Sequence, residues 1–197
     1  MKRISIGLLV LLSIVIPELA WTQNTSDSYD YRVLATNKTS TMQKEMSEAA
    51  DAGFHMEKMM GGGTAFGGSE VIVIMSKSKS APAQARYAYK LLATNKTSTM
   101  QKELQELGNE GFDYKDQTVF NSTFGGDEVV AILELDRENK AKAKYEYRLL
   151  ATNRTSTMQK ELQEAGAAGF AFVGVTVSKT AFGGKEVVSI LRKVIVQ

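Results

Sequence analysis

The sequence predicts an α+β fold made of three tandem strand–helix–strand–strand repeats, with mainly antiparallel sheets, one helix per repeat and an export signal in front. The first observation behind this prediction is a repeated stretch. ATNKTSTMQKE occurs at residues 35–45 and at 93–103, and it returns as ATNRTSTMQKE at 151–161. Such self-similarity at a fixed period is the sequence signature of a repeat protein.

The second observation is that other landmarks keep the same spacing. Tyr31, Tyr89 and Tyr147 follow one another at intervals of 58 residues, and two sets of phenylalanines share that interval. Because no insertion separates the landmarks, each copy should have the same elements at the same positions. The predicted repeats span residues 29–77, 87–135 and 145–193.

Each repeat is predicted to open with a strand and a helix. In the middle copy, alternate residues of YAYKLLA at 87–93 form one face, which is strand periodicity. The following Asn-Lys-Thr-Ser-Thr run breaks the strand, and Ser98 and Gln101 have the spacing of a capping box. Apolar residues at helical spacing come next. Gly111 is placed to end this helix in a left-handed turn.

Two further strands complete each repeat. In the third copy the second strand is FAFVGVTV at 170–177, which is rich in β-forming residues. In the middle copy a Phe-Gly-Gly turn leads into the last strand, EVVAILEL at 128–135. Its run of consecutive apolar residues indicates burial on both faces. Because one helix covers only one face, we expect the repeats to share a core. The alternative is three units on flexible, Lys-rich linkers.

The first twenty residues have the pattern of an export signal. Lys2 and Arg3 precede an apolar run over residues 4–16, and Ala20 offers a small residue for cleavage. The run is shorter than the roughly 20 residues that a membrane-spanning helix needs. We therefore expect residues 1–20 to be a cleaved signal peptide, with an uncleaved N-terminal anchor as the alternative. No other membrane span is expected.

The composition narrows the class of protein further. The chain of 197 residues has a formal net charge of +2 and no cysteine. A nearly neutral chain argues against nucleic acid as a partner, which needs clustered Lys and Arg. The missing cysteine excludes disulfides and thiolate chemistry. An exported chain without disulfides favours a bacterial periplasmic or secreted protein, although five Asn-x-Ser/Thr sequons leave glycosylation open.

The three copies also resemble a known bacterial family. The features are a strand ending in an aliphatic pair, the helix TMQKELQELGNEGF at 99–112, and a terminal ILE or ILR. They are similar to the small bacterial domain of unknown function 4177. Its members show Glu-Gly-Trp where this chain has Glu110-Gly111-Phe112. The resemblance implies an α+β unit, and it supplies no established activity and no catalytic residues.

Residues that carry catalytic or metal-binding chemistry are sparse. His55 is the only histidine, and nothing around it suggests the nucleophile of a Ser-His-Asp relay. HMEKMM at 55–60 groups one imidazole with three thioethers, which suit Cu(I), but Met56 aligns with Tyr114 and Phe172 and is interpreted as core. The repeated glutamates are interpreted as solvated. We expect no enzyme activity, no cofactor and no metal.

The repeated polar turn is the strongest candidate site. Each copy places a cation and hydroxyl groups at a helix N-terminus, where free backbone N–H groups favour anions. The alternatives are a helix cap and a contact between repeats. The candidate anion-binding residues are Lys38, Thr39, Ser40, Lys96, Thr97, Ser98, Arg154, Thr155 and Ser156.

The sequence therefore predicts a non-enzymatic exported repeat protein that binds a partner or forms structure. The expected partner is a cell-envelope protein or another copy of the chain, because the burial pattern requires neighbouring surfaces. The alternative function is a small-anion sensor or carrier that uses the three helix N-termini.

Overall fold

The computed structural model of the protein contains three successive units of strand, helix, strand and strand. The predicted signal peptide at residues 1–20 lies outside the described residues, which are 27–64, 68–81, 84–122, 126–139, 143–179 and 184–195. The first unit consists of β1 (Tyr29–Thr36), α1 (Thr39–Asp51), β2 (His55–Thr64) and β3 (Gly68–Ser78). The second consists of β4 (Tyr87–Thr94), α2 (Thr97–Glu110), β5 (Asp113–Ser122) and β6 (Gly126–Asp136). The third consists of β7 (Lys144–Thr152), α3 (Thr155–Ala167), β8 (Ala171–Lys179) and β9 (Lys185–Ile195).

Each unit forms one antiparallel three-stranded sheet with its last strand in the centre. The strand orders are β1-β3-β2, β4-β6-β5 and β7-β9-β8. The first strand of every unit is therefore an edge strand, and one row of its backbone N–H and C=O groups has no partner in its own sheet. These sheets, with one helix per unit, confirm the predicted α+β class and the threefold repeat.

The helix start differs from the sequence prediction. α2 begins at Thr97, its N-cap is Lys96 in an extended conformation, and no side chain caps it. The predicted capping box of Ser98 and Gln101 is wrong, because Ser98 lies inside the first turn and the Gln101 amide bonds to the next unit. The helix end confirms the prediction, since Gly111 adopts a left-handed φ of 93°.

The central strand β6 is buried on both faces, as its sequence predicts. Val129, Ala131 and Leu133 pack in one hydrophobic cluster with α2. Val130 and Ile132 lie on the opposite face and pack in a second cluster with α1. The second sheet is thus enclosed between the helix of the preceding unit and its own helix. A continuous hydrophobic core therefore crosses the boundary between the first and second units.

The same arrangement recurs at the boundary between the second and third units. Met100 and Leu104 of α2 pack with Val188 and Ile190 of β9 as well as with their own sheet. α3 differs, because no further unit follows it among the described residues. Among its residues only Ala165 is buried, and the third hydrophobic cluster is correspondingly small. α1 and α2 each lie between two sheets, whereas α3 lies on one.

Gly108 shows how closely α2 approaches the third unit. A Cβ atom at Gly108 would lie 2.3 Å from the Tyr145 carbonyl oxygen and 2.9 Å from Cδ2 of Tyr147. At Gly166, the equivalent position of α3, a Cβ atom would meet nothing within 4 Å. The same helix position is therefore crowded in the second unit and open in the third.

Gly108→Ala and Gly166→Ala should change the free energy of unfolding in opposite directions. Gly108→Ala forces a backbone shift at a packed boundary, and overpacking of this kind costs about 1–3 kcal/mol. Gly166→Ala adds only helix propensity and should stabilise by about 0.5–1 kcal/mol. Urea denaturation of dilute protein measures both changes. A stabilising Gly108→Ala would show that the second and third units do not pack as described.

Candidate functional site

Glutamine side chains join α1 and α2 to the first strand of the next unit, which is an edge strand of its sheet. The Gln43 amide donates to the Tyr89 carbonyl oxygen at 3.0 Å and accepts from the Leu91 N–H at 2.7 Å. Gln101 of α2 bonds in the same way to β7 at 2.9 and 2.7 Å, and Gln105 adds a second pair at 3.2 and 3.0 Å. Because one amide carries both a donor and an acceptor, it pairs the groups that an edge strand leaves open.

A tyrosine at one repeated position also reaches across each boundary. The Tyr89 hydroxyl accepts from the Met56 N–H at 2.8 Å and donates to the Glu134 carboxylate at 2.7 Å. The Tyr147 hydroxyl donates to the Phe112 carbonyl oxygen at 2.9 Å. Both tyrosines are 3% exposed, and burial raises the pKa of each phenol well above its ordinary value. The hydroxyls therefore stay protonated and can donate at neutral pH.

A charged cluster lies beside the tyrosine at the first boundary. His55 Nε2 is 3.0 Å and Lys115 Nζ is 3.4 Å from the Glu134 carboxylate. Burial alone would raise the pKa of Glu134, but hydrogen bonds from His55 and Tyr89 and the nearby positive charges lower that pKa below its ordinary value. At the second boundary Asp113 occupies the position of His55, and Arg192 occupies the position of Glu134. Acid and base are thus exchanged, and these two residues also form an ion pair.

The first unit leaves uncovered the sheet face that the other two units bury. Tyr31 occupies the position of Tyr89 and Tyr147, but it is 65% exposed. Val33 is also 65% exposed, and Met60 is 60% exposed. The register of the first sheet places these side chains on one side. We call this surface the head face, and its residues are Tyr29, Tyr31, Val33, Met60, Ile72 and Ile74.

The third unit leaves the opposite type of surface uncovered. Phe172, Val175 and Val177 of β8 are each about half exposed. Gln159 and Gln163 of α3 are exposed as well, and none of the hydrogen bonds among the described residues involves either side chain. We call this surface the tail face, and its residues are Gln159, Leu162, Gln163, Gly166, Phe172, Val175 and Val177.

Exposed large apolar side chains are confined to the two end units. Within the described ranges every such residue belongs to the first or third unit, and none belongs to the second. An exposed apolar patch with a polar rim marks an interaction surface. Sequence reasoning missed the two faces, because equivalent residues in the middle unit, such as Tyr89, are buried. Repeat number and order were the only signals that could have located them.

The nine candidate anion-binding residues lie at the three helix starts. Each helix begins at the threonine of its set, and no side chain caps it. The hydroxyl of the threonine two residues before each N-cap accepts instead from the backbone N–H of the cationic residue, at 3.1–3.2 Å. The residues of each set are thus gathered at one helix start, where their binding of an anion stays a prediction.

The residues considered for metal binding or catalysis contact other parts of the protein. Met56 and Met59 are 1% and 3% exposed in the hydrophobic cluster that contains α1, which confirms the interpretation of Met56 as a core residue. His55 contacts a carboxylate and an ammonium group. No group of His, Asp and Glu side chains in the described part of the chain could hold a metal ion. No helix there is long and apolar enough to cross a bilayer.

Comparisons with known proteins add no identification. No family model, no curated protein and no solved structure matches this chain. The resemblance of the three copies to the domain of unknown function 4177 therefore stays an interpretation of the sequence.

Gln101→Ala and Gln159→Ala form a matched test of the contact between helix and edge strand. Both residues occupy the same position of identical helix segments, but only Gln101 bonds to a following strand. Gln101→Ala should cost about 1–3 kcal/mol of unfolding free energy, because it leaves an N–H and a C=O without a partner. Gln159→Ala should stay within about 0.5 kcal/mol of wild type in dilute protein. Equal costs in chemical denaturation would contradict the role of Gln101.

Glu134→Gln should reveal a pH-dependent contribution to stability. Because the folded-state pKa of Glu134 lies below its ordinary value of 4.5, its carboxylate stabilises the fold above that value and loses this effect as the pH falls through the lower folded-state pKa. The stability difference between wild type and Glu134→Gln should therefore be present above pH 4.5 and shrink as the pH falls below that value. Urea denaturation across this range measures it, with the exposed Glu106→Gln as control. A difference that grows below pH 4.5 would show that the carboxylate is not stabilised by its neighbours.

Proposed function

We propose that this protein is a bacterial exported repeat protein, periplasmic or secreted, that acts by binding rather than by catalysis. Its binding surfaces are the head face and the tail face, and its partner is a protein of the cell envelope or another copy of the chain. The observation that carries this proposal is the exposure of Tyr31 and Val33, both 65%, at positions that are covered in the other units.

The physical argument is that both faces resemble parts of a protein core. Complete burial of a side chain the size of valine or methionine contributes roughly 1.5–3 kcal/mol. Several such residues on one flat sheet face can offset the cost of association, which is about 4–15 kcal/mol. The edge of β1 adds unpaired backbone groups, which a partner can bond to directly. A partner with an apolar centre and amide-bearing side chains would fit the head face.

The predicted export signal supports the proposed location, and the residue types support the absence of catalysis. The cleavable pattern at residues 1–20 is the argument for export. The chain has one histidine and no cysteine, and His55 is engaged with Glu134 and Lys115 at the first boundary. A role as part of the junction between two units accounts for His55 without a substrate.

Val33→Lys should remove binding through the head face without unfolding the protein. Val33 is exposed on an edge strand, so a lysine there loses little burial, but it places a charge on the head face beside Ile74. Affinity capture from a cell-envelope extract should recover a partner with wild type and with Glu106→Gln, which changes charge by the same amount in the middle unit. Equal recovery with Val33→Lys, and with a matching change on the tail face, would contradict the proposal.

The alternative function is a small-anion sensor or carrier. The observation that favours it is that all three N-cap residues, Lys38, Lys96 and Arg154, lack a side-chain cap bond, which leaves first-turn N–H groups available. If an anion binds there, phosphate or sulfate should raise the thermal midpoint by mass action, and Lys96→Glu should reduce that rise. The absence of a shift with any anion would reject this alternative.

A further inference from the structure

We propose that the head face of one molecule is covered by the tail face of a second copy of the same chain. This inference rests on the proposed function, since it uses the same two faces and names their partner. Within one molecule, the helix side of a unit already covers the sheet of the next unit twice, at the first and at the second boundary. A contact between two copies would continue that established interface.

The tail face carries the residues that α2 uses to bind the following unit. α2 and α3 both begin with the sequence TSTMQKELQE. Gln159 and Gln163 therefore occupy the positions of Gln101 and Gln105, whose amides bond to β7. Because the two helix sequences are identical over this segment, the exposure of the α3 glutamines reflects a missing neighbour rather than a different kind of helix.

The head face already has the form of a covered boundary. The Tyr31 carbonyl and the Val33 N–H are equivalent to the groups of β4 that α1 binds. The ring centroids of Tyr29 and Tyr31 are 6.3 Å apart with the rings tilted by 36°, and those of Tyr145 and Tyr147 are 6.3 Å apart with a tilt of 42°. The two rings are therefore arranged relative to each other much as at the second boundary, where the equivalent pair packs with α2.

The residues equivalent to the His55–Glu134 ion pair are also compatible with this contact. Ser76 of the head side is equivalent to Glu134, and Ala171 of the tail side is equivalent to His55. A boundary between two copies would therefore join two neutral residues at these positions. The nearby Glu57 carboxylate keeps partners in its own unit, since it accepts from the Ser76 hydroxyl at 2.5 Å and lies 3.9 Å from His55 Nδ1. If the tail side of the third unit packed instead on the sheet of a second or third unit, Ala171 would face Glu134 or Arg192. That residue would then lack its opposite charge, which is unfavourable at a buried position. The charges thus favour the internal order of units and leave the two free ends matched to each other.

The proposed contact is heterologous, because two different surfaces meet. Interfaces of this kind form closed rings when the rotation between copies closes, and open filaments when it does not. Every copy in a ring, and every copy except the two at the ends of a filament, uses both of its faces. A variant that lacks one face can only end an assembly.

Two single substitutions separate the faces experimentally. Val33→Lys charges the head face at an exposed position of an edge strand, where lysine is well tolerated. Gly166→Arg fills the tail face at a position that is open in the single molecule, and arginine is a better helix former than glycine. Arginine is chosen because Ala50 occupies the equivalent position at the first boundary, so alanine alone would be accommodated. Circular dichroism and thermal unfolding check that both variants remain folded.

Sedimentation velocity tests the inference on the purified protein in the processed form that the producing cell makes. Wild type and Glu106→Gln should show either one closed oligomer or a mass that rises with concentration. Val33→Lys and Gly166→Arg should each sediment as a single chain. An equimolar mixture of these two variants should form a dimer of one copy each and nothing larger, because only one head face and one tail face remain intact.

Three results would overturn the inference. The first is a wild-type protein that stays a single chain at every concentration, as it would if its own N-terminal residues covered the head face. The second is a variant mixture that fails to form the dimer. The third is self-association of either variant alone, which indicates contact between like faces. A single-chain wild type that still loses an envelope partner through Val33→Lys would overturn the inference and leave the proposed function intact.

Discussion

The burial of α1 and α2 between two sheets is the constraint on which the rest of this structure depends. A unit of about 50 residues buries too little surface to be stable alone, and here the helix of each unit completes the core of the next. The glutamine amides belong to the same arrangement, because they pair the backbone groups of an edge strand that would otherwise lie unpaired beside a helix. Packing and hydrogen bonding therefore both occur at each boundary between units. The sheet face that a unit's own helix does not cover is covered only by the neighbouring unit.

A repeat built in this way must end, and its two ends are not alike. Within the described residues, no helix precedes the first sheet and no sheet follows the last helix. Tyr31 and Val33 at one end, and Gln159 and Gln163 at the other, are therefore exposed although their equivalents inside the chain are in contact. Repeat proteins commonly close such ends with polar capping units. This chain keeps apolar residues there, and that is the physical basis for regarding both ends as binding surfaces.

The sequence predicted the repeat, the α+β class and the two-sided burial of β6, because periodicity and apolar runs report directly on local burial. It did not predict the use of Gln101, whose spacing from Ser98 suggested a cap within the helix. A glutamine on a helix surface gives no sign of its partner until the next unit is placed beside it. The two end faces were hidden for the same reason, since Tyr31 and Tyr147 look alike in the chain and differ only in what precedes them.

Amide hydrogen exchange at Val33 and Leu149, followed at increasing protein concentration, tests the central claim most directly. The Leu149 N–H bonds to Gln101 within the molecule, so it should exchange slowly at every concentration. The equivalent N–H of Val33 should exchange rapidly in dilute protein and become protected as copies associate. Protection of Val33 that does not depend on concentration, or rapid exchange at Leu149 in dilute protein, would contradict the account.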